Sequence, residues 1–419
     1  MNILIIGGGG REHALARAIS TSQKCTQLYA APGNPGISQF ATCLESSSDN
    51  PQAIIQECQK RKIELVVIGP EVPLVSGLAD ALRNHNIAAF GPSAAAAKLE
   101  GSKYFARDFC KRYHIPQPAY ERFTDIQKAK EYARIIGPQS VIKADGLAAG
   151  KGVVVCNTTK QAFDAIDMML EGGFGEASQT ILVEACITGP ELSAFALVDG
   201  EDVIWLASAR DHKRAFDGNE GPNTGGMGAA SPSPDETDSL RKDILENILK
   251  PTAKGMVADG TPYTGILYAG LMLTDEGPQV IEFNCRFGDP EAQTILPRLE
   301  SDLLEIIISH CNQKQQEAQI IFSPDIAITV IMANKGYPGS YQPDSIIKQL
   351  DTLSLESDRF IYHSGTRRNE QGDIIASGGR VLSITATAKT YREAREKAYD
   401  TVSQIKWENG FYRTDIGVF

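Results

Sequence analysis

Gln279-Val-Ile-Glu-Phe-Asn-Cys-Arg-Phe-Gly-Asp-Pro-Glu291 is the stretch whose reading decides the fold. Side chains of an extended strand alternate between faces, which places Val280, Glu282 and Asn284 on one face and Ile281 and Phe283 on the other, in a core. A carboxylate two residues from a carboxamide in such a strand requires a partner, because an unpaired buried charge is costly. A hard divalent cation is one, since Mg²⁺ takes oxygen ligands from carboxylates and amides while keeping waters and phosphate oxygens. Arg286 follows, a planar fork suited to a carboxylate or phosphate. Gly288-Asp289-Pro290 then turns the chain toward Glu291.

Working outward, residues 263–273 read as the strand that precedes this one across the turn at Asp275-Glu-Gly277. Before it, residues 235–250 carry Leu240, Ile244, Leu245 and Ile248 at helical spacing, with a break expected near Pro251. Residues 210–230 show no apolar period and are expected to form a long functional loop without secondary structure. Residues 181–184 and 192–198 read as strands. The segment between them suits either a surface hairpin or a hinge offering backbone groups to a nucleotide base. Residues 141–144 form a strand carrying Lys143, and Asp145-Gly-Leu-Ala-Ala-Gly-Lys-Gly152 is more glycine-rich than an ordinary turn needs. It suits a flap over phosphates, with Lys143 beneath and Lys151 at the tip. No Walker pattern is present, because Gly152 follows Lys151. Ser102 is the expected N-cap of a helix over residues 103–113, closed before Pro116.

At the amino-terminal end, residues 3–6 are an apolar strand of the kind buried in a parallel sheet. Further strands are expected at 27–31, 65–68 and 87–90, giving a doubly wound α/β unit that ends near residue 100. Its carboxyl-end loops are Gly7-Gly-Gly-Gly-Arg-Glu-His13, Pro32-Gly-Asn-Pro-Gly36 and Gly69-Pro-Glu-Val-Pro73. A dinucleotide site is excluded by its own register: Gly-x-Gly-x-x-Gly from Gly7 ends on Glu12, and from Gly8 on His13. No acid ends the second strand. The four glycines can still cradle a phosphate at a helix amino terminus. From about residue 325 a small α+β unit follows, with strands at 327–333, 360–364 and 381–387. A helix then opens on the capping box Thr390-x-x-Glu393.

The 419 residues suggest more than one domain. A net charge of −11 argues against nucleic acid or an acidic membrane as partner. The eight cysteines lack any Cys-x-x-Cys pair and suit unreactive thiols in a reducing compartment. No apolar run approaches the ~18 residues needed to cross a bilayer. A cytoplasmic protein is expected.

Seven of these stretches, in order, resemble one family. They are Gly8-Gly-Gly-Arg-Glu-His-Ala-Leu15, Pro32-Gly-Asn-Pro-Gly36, Gly69-Pro-Glu71, Glu100-Gly-Ser-Lys103, Lys143-Ala-Asp-Gly-Leu-Ala-Ala-Gly-Lys-Gly152, Gly221-Pro-Asn-Thr-Gly-Gly-Met-Gly228 and Arg286-Phe-Gly-Asp-Pro-Glu291. Nearly the whole chain looks like the phosphoribosylamine–glycine ligases of the ATP-grasp superfamily. The resemblance implies a doubly wound amino-terminal domain over 1–100, an ATP-grasp domain over 101–324 with a mobile lid at about 120–190, and a carboxy-terminal α+β domain over 325–419. It implies that glycine, 5-phosphoribosylamine and ATP become glycinamide ribonucleotide, ADP and phosphate through glycyl phosphate, in purine biosynthesis, by a monomer. By position, Glu282 and Asn284 match the ligands of Mg²⁺ or Mn²⁺, and Lys103 and Lys143 the phosphate-side lysines. Gly146, Gly150, Lys151 and Gly152 match the mobile loop, and Glu184 and Glu191 the hinge and ribose acids. Arg286, Asp211, Lys213 and Asn223 match the region where glycine and the sugar phosphate meet, with Glu71 and the amino-terminal loops facing phosphoribosylamine. One departure stands out: the family often has Glu-Glu at the hinge, and here Glu184 is followed by Ala185. The competing reading is another ATP-grasp carboxylate–amine ligase.

Overall fold

Strand Asn2–Gly7 is almost wholly apolar, with Ile3, Leu4, Ile5 and Ile6 all at 0% exposure, as the middle of a parallel sheet requires. The computed structural model describes residues 1–46, 50–147, 152–173, 175, 179–317 and 319–419. In it Asn2–Gly7 is flanked by Gln27–Pro32 and Leu65–Ile68, with Thr42–Cys43 and Ala88–Phe90 at the edges, all parallel. The order reverses at Asn2–Gly7, so the loops after Gly7, Pro32 and Ile68 open onto one crevice.

Helix Lys103–Arg112, capped by Ser102 through the N–H of Phe105, links this unit to a four-stranded antiparallel sheet. The order there is Tyr120–Phe123, Ile181–Ala185, Ser140–Ala144, Val153–Cys156. Helices Ile126–Ile136 and Thr159–Met168 bury Ala129, Ala133, Ala162 and Ile166 in a core shared with Ile142 and Val183. Strand Glu191–Asp199 belongs to a different sheet, so residues 186–190 join two sheets and are no surface hairpin.

That second sheet runs Gly277–Asn284, Thr264–Thr274, Glu191–Asp199, Asp202–Asp211, Gly228–Ser231, Ile326–Asn334, Arg380–Ala388, Arg359–His363, with Gly410–Phe411 also pairing to Ile326–Asn334. The carboxy-terminal α+β unit is thus continuous with the central one through the pairing of Gly228–Ser231 with Ile326–Asn334. Its helix Tyr391–Gln404 is capped by Thr390 through the N–H of Glu393.

Three local expectations are corrected. Residues 210–230 contain the end of strand Asp202–Asp211, a hairpin of Arg214–Phe216 with Glu220–Asn223, and strand Gly228–Ser231. Their polar, glycine-rich composition hid short strands paired mainly through backbone. The helix does not break at Pro251. A π turn at Leu245–Leu249 carries Asp238–Ile244 into Lys250–Ala258, and its wider i→i+5 bonding just before Pro251 accommodates the missing N–H within one continuous helix. Ile281 does not anchor the core. The register shifts between Gly270 and Leu271, leaving Ile281 as the extra residue of a bulge. Val280 therefore joins Phe283 in the core, and Glu282 shares its face with Asn284 alone.

All eight cysteines are free, and burial raises the pKa of Cys58, Cys110 and Cys285. No described helix is long and apolar enough to cross a membrane.

Candidate active site

The Ile281 bulge aims Glu282 away from the core and frees two carbonyls. The neighbouring strand supplies Gly270 opposite Glu282, and a methyl group there would lie 3.0 Å from Glu282 Cγ. The missing side chain leaves room for the carboxylate. Lys213 Nζ stands 3.7 Å from Glu282 Oε1 and 2.7 Å from Glu191 Oε2. Burial works against a charged Glu282, but Lys213, Lys143 and Lys103 together hold its carboxyl below the ordinary value. Among the described residues no three His, Cys, Asp or Glu side chains converge as a complete metal cage. A carboxylate and an amide sharing an open face suit an ion that keeps phosphate and water ligands.

Beneath this face lies a buried ion network that the sequence did not reveal. Arg107 donates from Nε to Glu184 Oε1 at 2.7 Å and from Nη2 to Oε2 at 2.9 Å. Lys143 Nζ is 2.8 Å from the same Oε2 and donates to the Ile281 carbonyl at 3.0 Å. Arg107 also donates to the carbonyls of Val280 and Ile281. The bulge thus hangs on two cations fixed by one acid. Glu184, matched to the hinge acid, has both oxygens engaged and is 1% exposed. Burial opposes its ionisation, yet Arg107 and Lys143 draw its pKa down to about 2. Glu191 stands apart from it, on the Lys213 side.

Lys103 Nζ donates to the carbonyl of Gly146 at 3.0 Å, while Ser102 Oγ and the N–H of Tyr104 hold Asp145. The helix start and the flap's first residues are therefore one unit. Gly152 closes the described part by accepting from the N–H of Ala144. Gly150 and Lys151 lie outside the described residues.

On the other side of Glu282, Arg286 sits between Glu100 (Nη2 to Oε1, 2.7 Å) and Glu71 (Nε to Oε2, 3.3 Å). Of its fork, Nη2 donates to Glu100 and Nη1 to the Phe287 carbonyl at 3.3 Å, while Nε is near Glu71 but makes no hydrogen bond among the described residues. Burial raises the pKa of Glu100, and Arg286 opposes the rise. Burial first and the charge of Glu291 second push the Asp211 pKa well up. Asp211 Oδ1 is buried with no hydrogen-bond partner among the described residues. A methyl group at Gly226 would lie 2.7 Å from that oxygen, and φ there is +102°. Asn223 lies farther out, paired with Arg214 at the mouth of the hairpin. The glycine turn at the start of the chain is filled from within: Glu12 Oε2 accepts from the N–H of Gly9 at 2.7 Å, and Arg11 binds its other oxygen.

Arg380 was missed. It reaches from the carboxy-terminal unit to the carbonyls of Gly225 and Asp289, and stands 3.2 Å from Asp289 Oδ1. The only signal was the Gly378-Gly379 pair before a lone arginine at a strand start.

Family models for phosphoribosylglycinamide synthetase match the chain as three consecutive parts: the N domain over residues 1–100, the ATP-grasp (A) domain over 101–292 and the C domain over 327–418. The chain is 50% identical over 417 residues to the phosphoribosylamine–glycine ligase of Rhizobium meliloti, covering 100% of this chain and 98% of that one. It is 49% identical over 414 residues to the chloroplastic enzyme of Arabidopsis thaliana, covering 97% of this chain and 78% of that one. Among solved structures, the phosphoribosylamine–glycine ligase of Thermotoga maritima superposes with a TM-score of 0.83 at 31% identity, over 99% of this chain and 100% of that one. The biotin carboxylase of Campylobacter jejuni, at 17% identity and a TM-score of 0.75, covers 100% of this chain and 94% of that one and shares the fold.

Proposed function

The chain belongs to the phosphoribosylamine–glycine ligase family, and from that premise we infer how its side chains divide the reaction. The enzyme ligates glycine to 5-phosphoribosylamine with ATP, forming glycinamide ribonucleotide in purine biosynthesis. In our reading a glycine carboxylate oxygen attacks the γ-phosphorus of ATP, breaking the bond to ADP and giving glycyl phosphate. The sugar amine then attacks the activated carbonyl, phosphate leaves, and the amine gives up a proton. Such chemistry needs positioning and charge neutralisation more than an enzyme nucleophile.

Lys103 and Lys143 face the ATP phosphates, and residues 146–152, with Gly150 and Lys151, close over them. Glu282 and Asn284 would hold Mg²⁺ or Mn²⁺, and the site fits it: an ionised carboxylate and an amide share one face with room left by Gly270. When bound, the ion supplies charge neutralisation at the transferring phosphate. Glu191 keeps its place toward the nucleotide, at the end of the crossing between sheets. Glu184 acts indirectly, by fixing Lys143 and Arg107 against the metal strand. In this reading Asp211 Oδ1 accepts from the glycine amino group, and its lack of a hydrogen-bond partner among the described residues supports that role. Arg286 holds the glycine carboxylate or the sugar phosphate when Glu71 shifts toward phosphoribosylamine, and Asn223 borders the same space. Functionally the chain divides at 100 and 324, with the lid at about 120–190. A cytoplasmic monomer without nucleic-acid or membrane partners fits the net charge of −11.

The observation that carries this reading is Lys213, which ties Glu191 to Glu282 and brings residues 210–223 to the metal face. ADP release, measured with both co-substrates and with each omitted, tests it. Release should require glycine and Mg²⁺. Equal release without glycine would overturn the glycyl phosphate route.

A further inference from the structure

Lys213 opens a polar segment with little core of its own, just past Asp211, which pairing with Ala229 fixes at the end of strand Asp202–Asp211. What fixes that segment comes from the far end of the chain. We propose that residues 411–416 act as a strap that positions residues 213–223 for the co-substrate.

The strap is anchored on its outer side by helix Tyr391–Gln404. Arg395 donates to the carbonyls of Thr414 (2.6 Å) and Ile416 (3.1 Å). Tyr399 Oη donates to the Arg413 carbonyl at 2.6 Å and accepts from the N–H of Ile416 at 3.1 Å. Its inner side clasps the hairpin. The Arg413 guanidinium, 2% exposed, is held by both oxygens of Asp415 at 2.8 Å and donates to the Arg214 carbonyl at 3.1 Å. Asp415 also accepts from the N–H of Gly218 at 2.9 Å. Asp217, at the exposed tip, accepts from the N–H and the hydroxyl of Thr414 at 2.7 and 2.6 Å. Ile416 packs so closely that a methyl group on Gly228 would lie 2.7 Å from its Cγ2.

The geometry has a consequence. Arg214, whose carbonyl the strap holds, follows directly on Lys213, whose ammonium ties Glu191 to Glu282. A hairpin of three and four residues cannot fix its own register. A buried guanidinium with three acceptors can, because its fork is planar and preorganised. The strap thus sets where Lys213 stands, without touching substrate. Its residues are positioning residues. This rests on reading Lys213 as a co-substrate residue, so the test must separate the two ideas.

Arg413 is buried, and its loss could unfold the region, so the informative variants are Asp217→Ala and Thr414→Val at the exposed end. Both should raise the apparent KM for glycine roughly five- to tenfold, with KM for ATP within about twofold, since small misplacements are costly at a reacting centre. Thr414→Ser keeps the hydroxyl and should behave as wild type. Hydrogen exchange over residues 214–223 should quicken in Asp217→Ala while that of Ile326–Asn334 stays unchanged. Lys213→Met serves as the reference. If it raises the glycine KM and Asp217→Ala does not, the strap proposal is overturned. If Lys213→Met leaves glycine untouched while exchange in Asp217→Ala still quickens, the co-substrate reading of Lys213 has failed and the strap is purely architectural. Unchanged exchange in Asp217→Ala also overturns the proposal.

Discussion

Arg107 grips Glu184 at two points, 2.7 and 2.9 Å, with both side chains almost wholly out of water. The pair sits under the metal strand, and Arg107's other donors go to the carbonyls of Val280 and Ile281 and to Gln117 Oε1. An ion pair in that position is costly to break from the acid side, because Arg107 and Lys143 are then left as buried cations without the carboxylate they share.

The first expectation is therefore about stability. Glu184→Gln should lower the unfolding free energy at neutral pH by roughly 3–5 kcal/mol. The sign with pH follows from a depressed carboxyl. In the unfolded chain Glu184 titrates near 4.5, and in the folded protein near about 2. Its stabilisation is present above pH 4.5 and lost as the pH falls toward about 2, amounting to roughly 3 kcal/mol at ~1.4 per unit. Urea titrations of both proteins at several pH values check this. A gap between them that stayed constant from pH 6 to 3 would show that Glu184 does not carry the effect.

Removing charge from the metal face should act on rate instead. Glu282 is ionised on an open face beside Lys213, so Glu282→Gln leaves the fold intact. It should slow turnover by about a hundredfold or more, through lost charge neutralisation. Near-normal turnover at saturating Mg²⁺ would make this face merely structural.

Gly270 offers a gentler probe of the same face. A methyl group there meets Glu282 Cγ at 3.0 Å, closer than carbon atoms pack, so the side chain must yield. Gly270→Ala should raise the Mg²⁺ concentration needed for half-maximal rate by roughly three- to tenfold while kcat at saturation changes less. A metal titration of rate decides it. An unshifted midpoint would place the ion elsewhere.

Arg286 bears on substrate identity. Its fork spans Glu100 and Glu71, and a lysine ammonium cannot reproduce that planar two-acid grip. Arg286→Lys should weaken whichever of glycine and phosphoribosylamine it holds, with the ATP constant nearly unchanged. Titrating each substrate in turn shows which; a change confined to ATP would move Arg286 to the nucleotide site. Gly226 crowds Asp211 nearby, so alanine should replace glycine poorly, by ~10–200-fold if sterics alone exclude its methyl. Equal use of alanine would point to a different amine ligase.

The sequence by itself determined the doubly wound start, the capped helices at Ser102 and Thr390, and the family. These depend on short-range patterns: apolar runs, capping residues and glycine spacings act within a few residues. It also paired Glu282 with Asn284 on one face, because strand alternation is local. The bulge that sends Val280 to the opposite face from Glu282 is not local, since it exists only against Gly270 and Leu271 of the neighbouring strand. The tertiary structure alone decided that Glu184 meets Arg107 rather than standing free. It also decided that Arg286 is held by Glu71 and Glu100, that Arg380 reaches Asp289, and that residues 411–416 clasp the hairpin behind Lys213. Each joins residues far apart in the chain, from 77 positions for Arg107 and Glu184 to 199 for Arg413 and Arg214, and more for Arg286 and Glu71. No periodicity records such partners, because a charged side chain finds its counter-ion through the path of the whole fold, and only burial makes that choice binding.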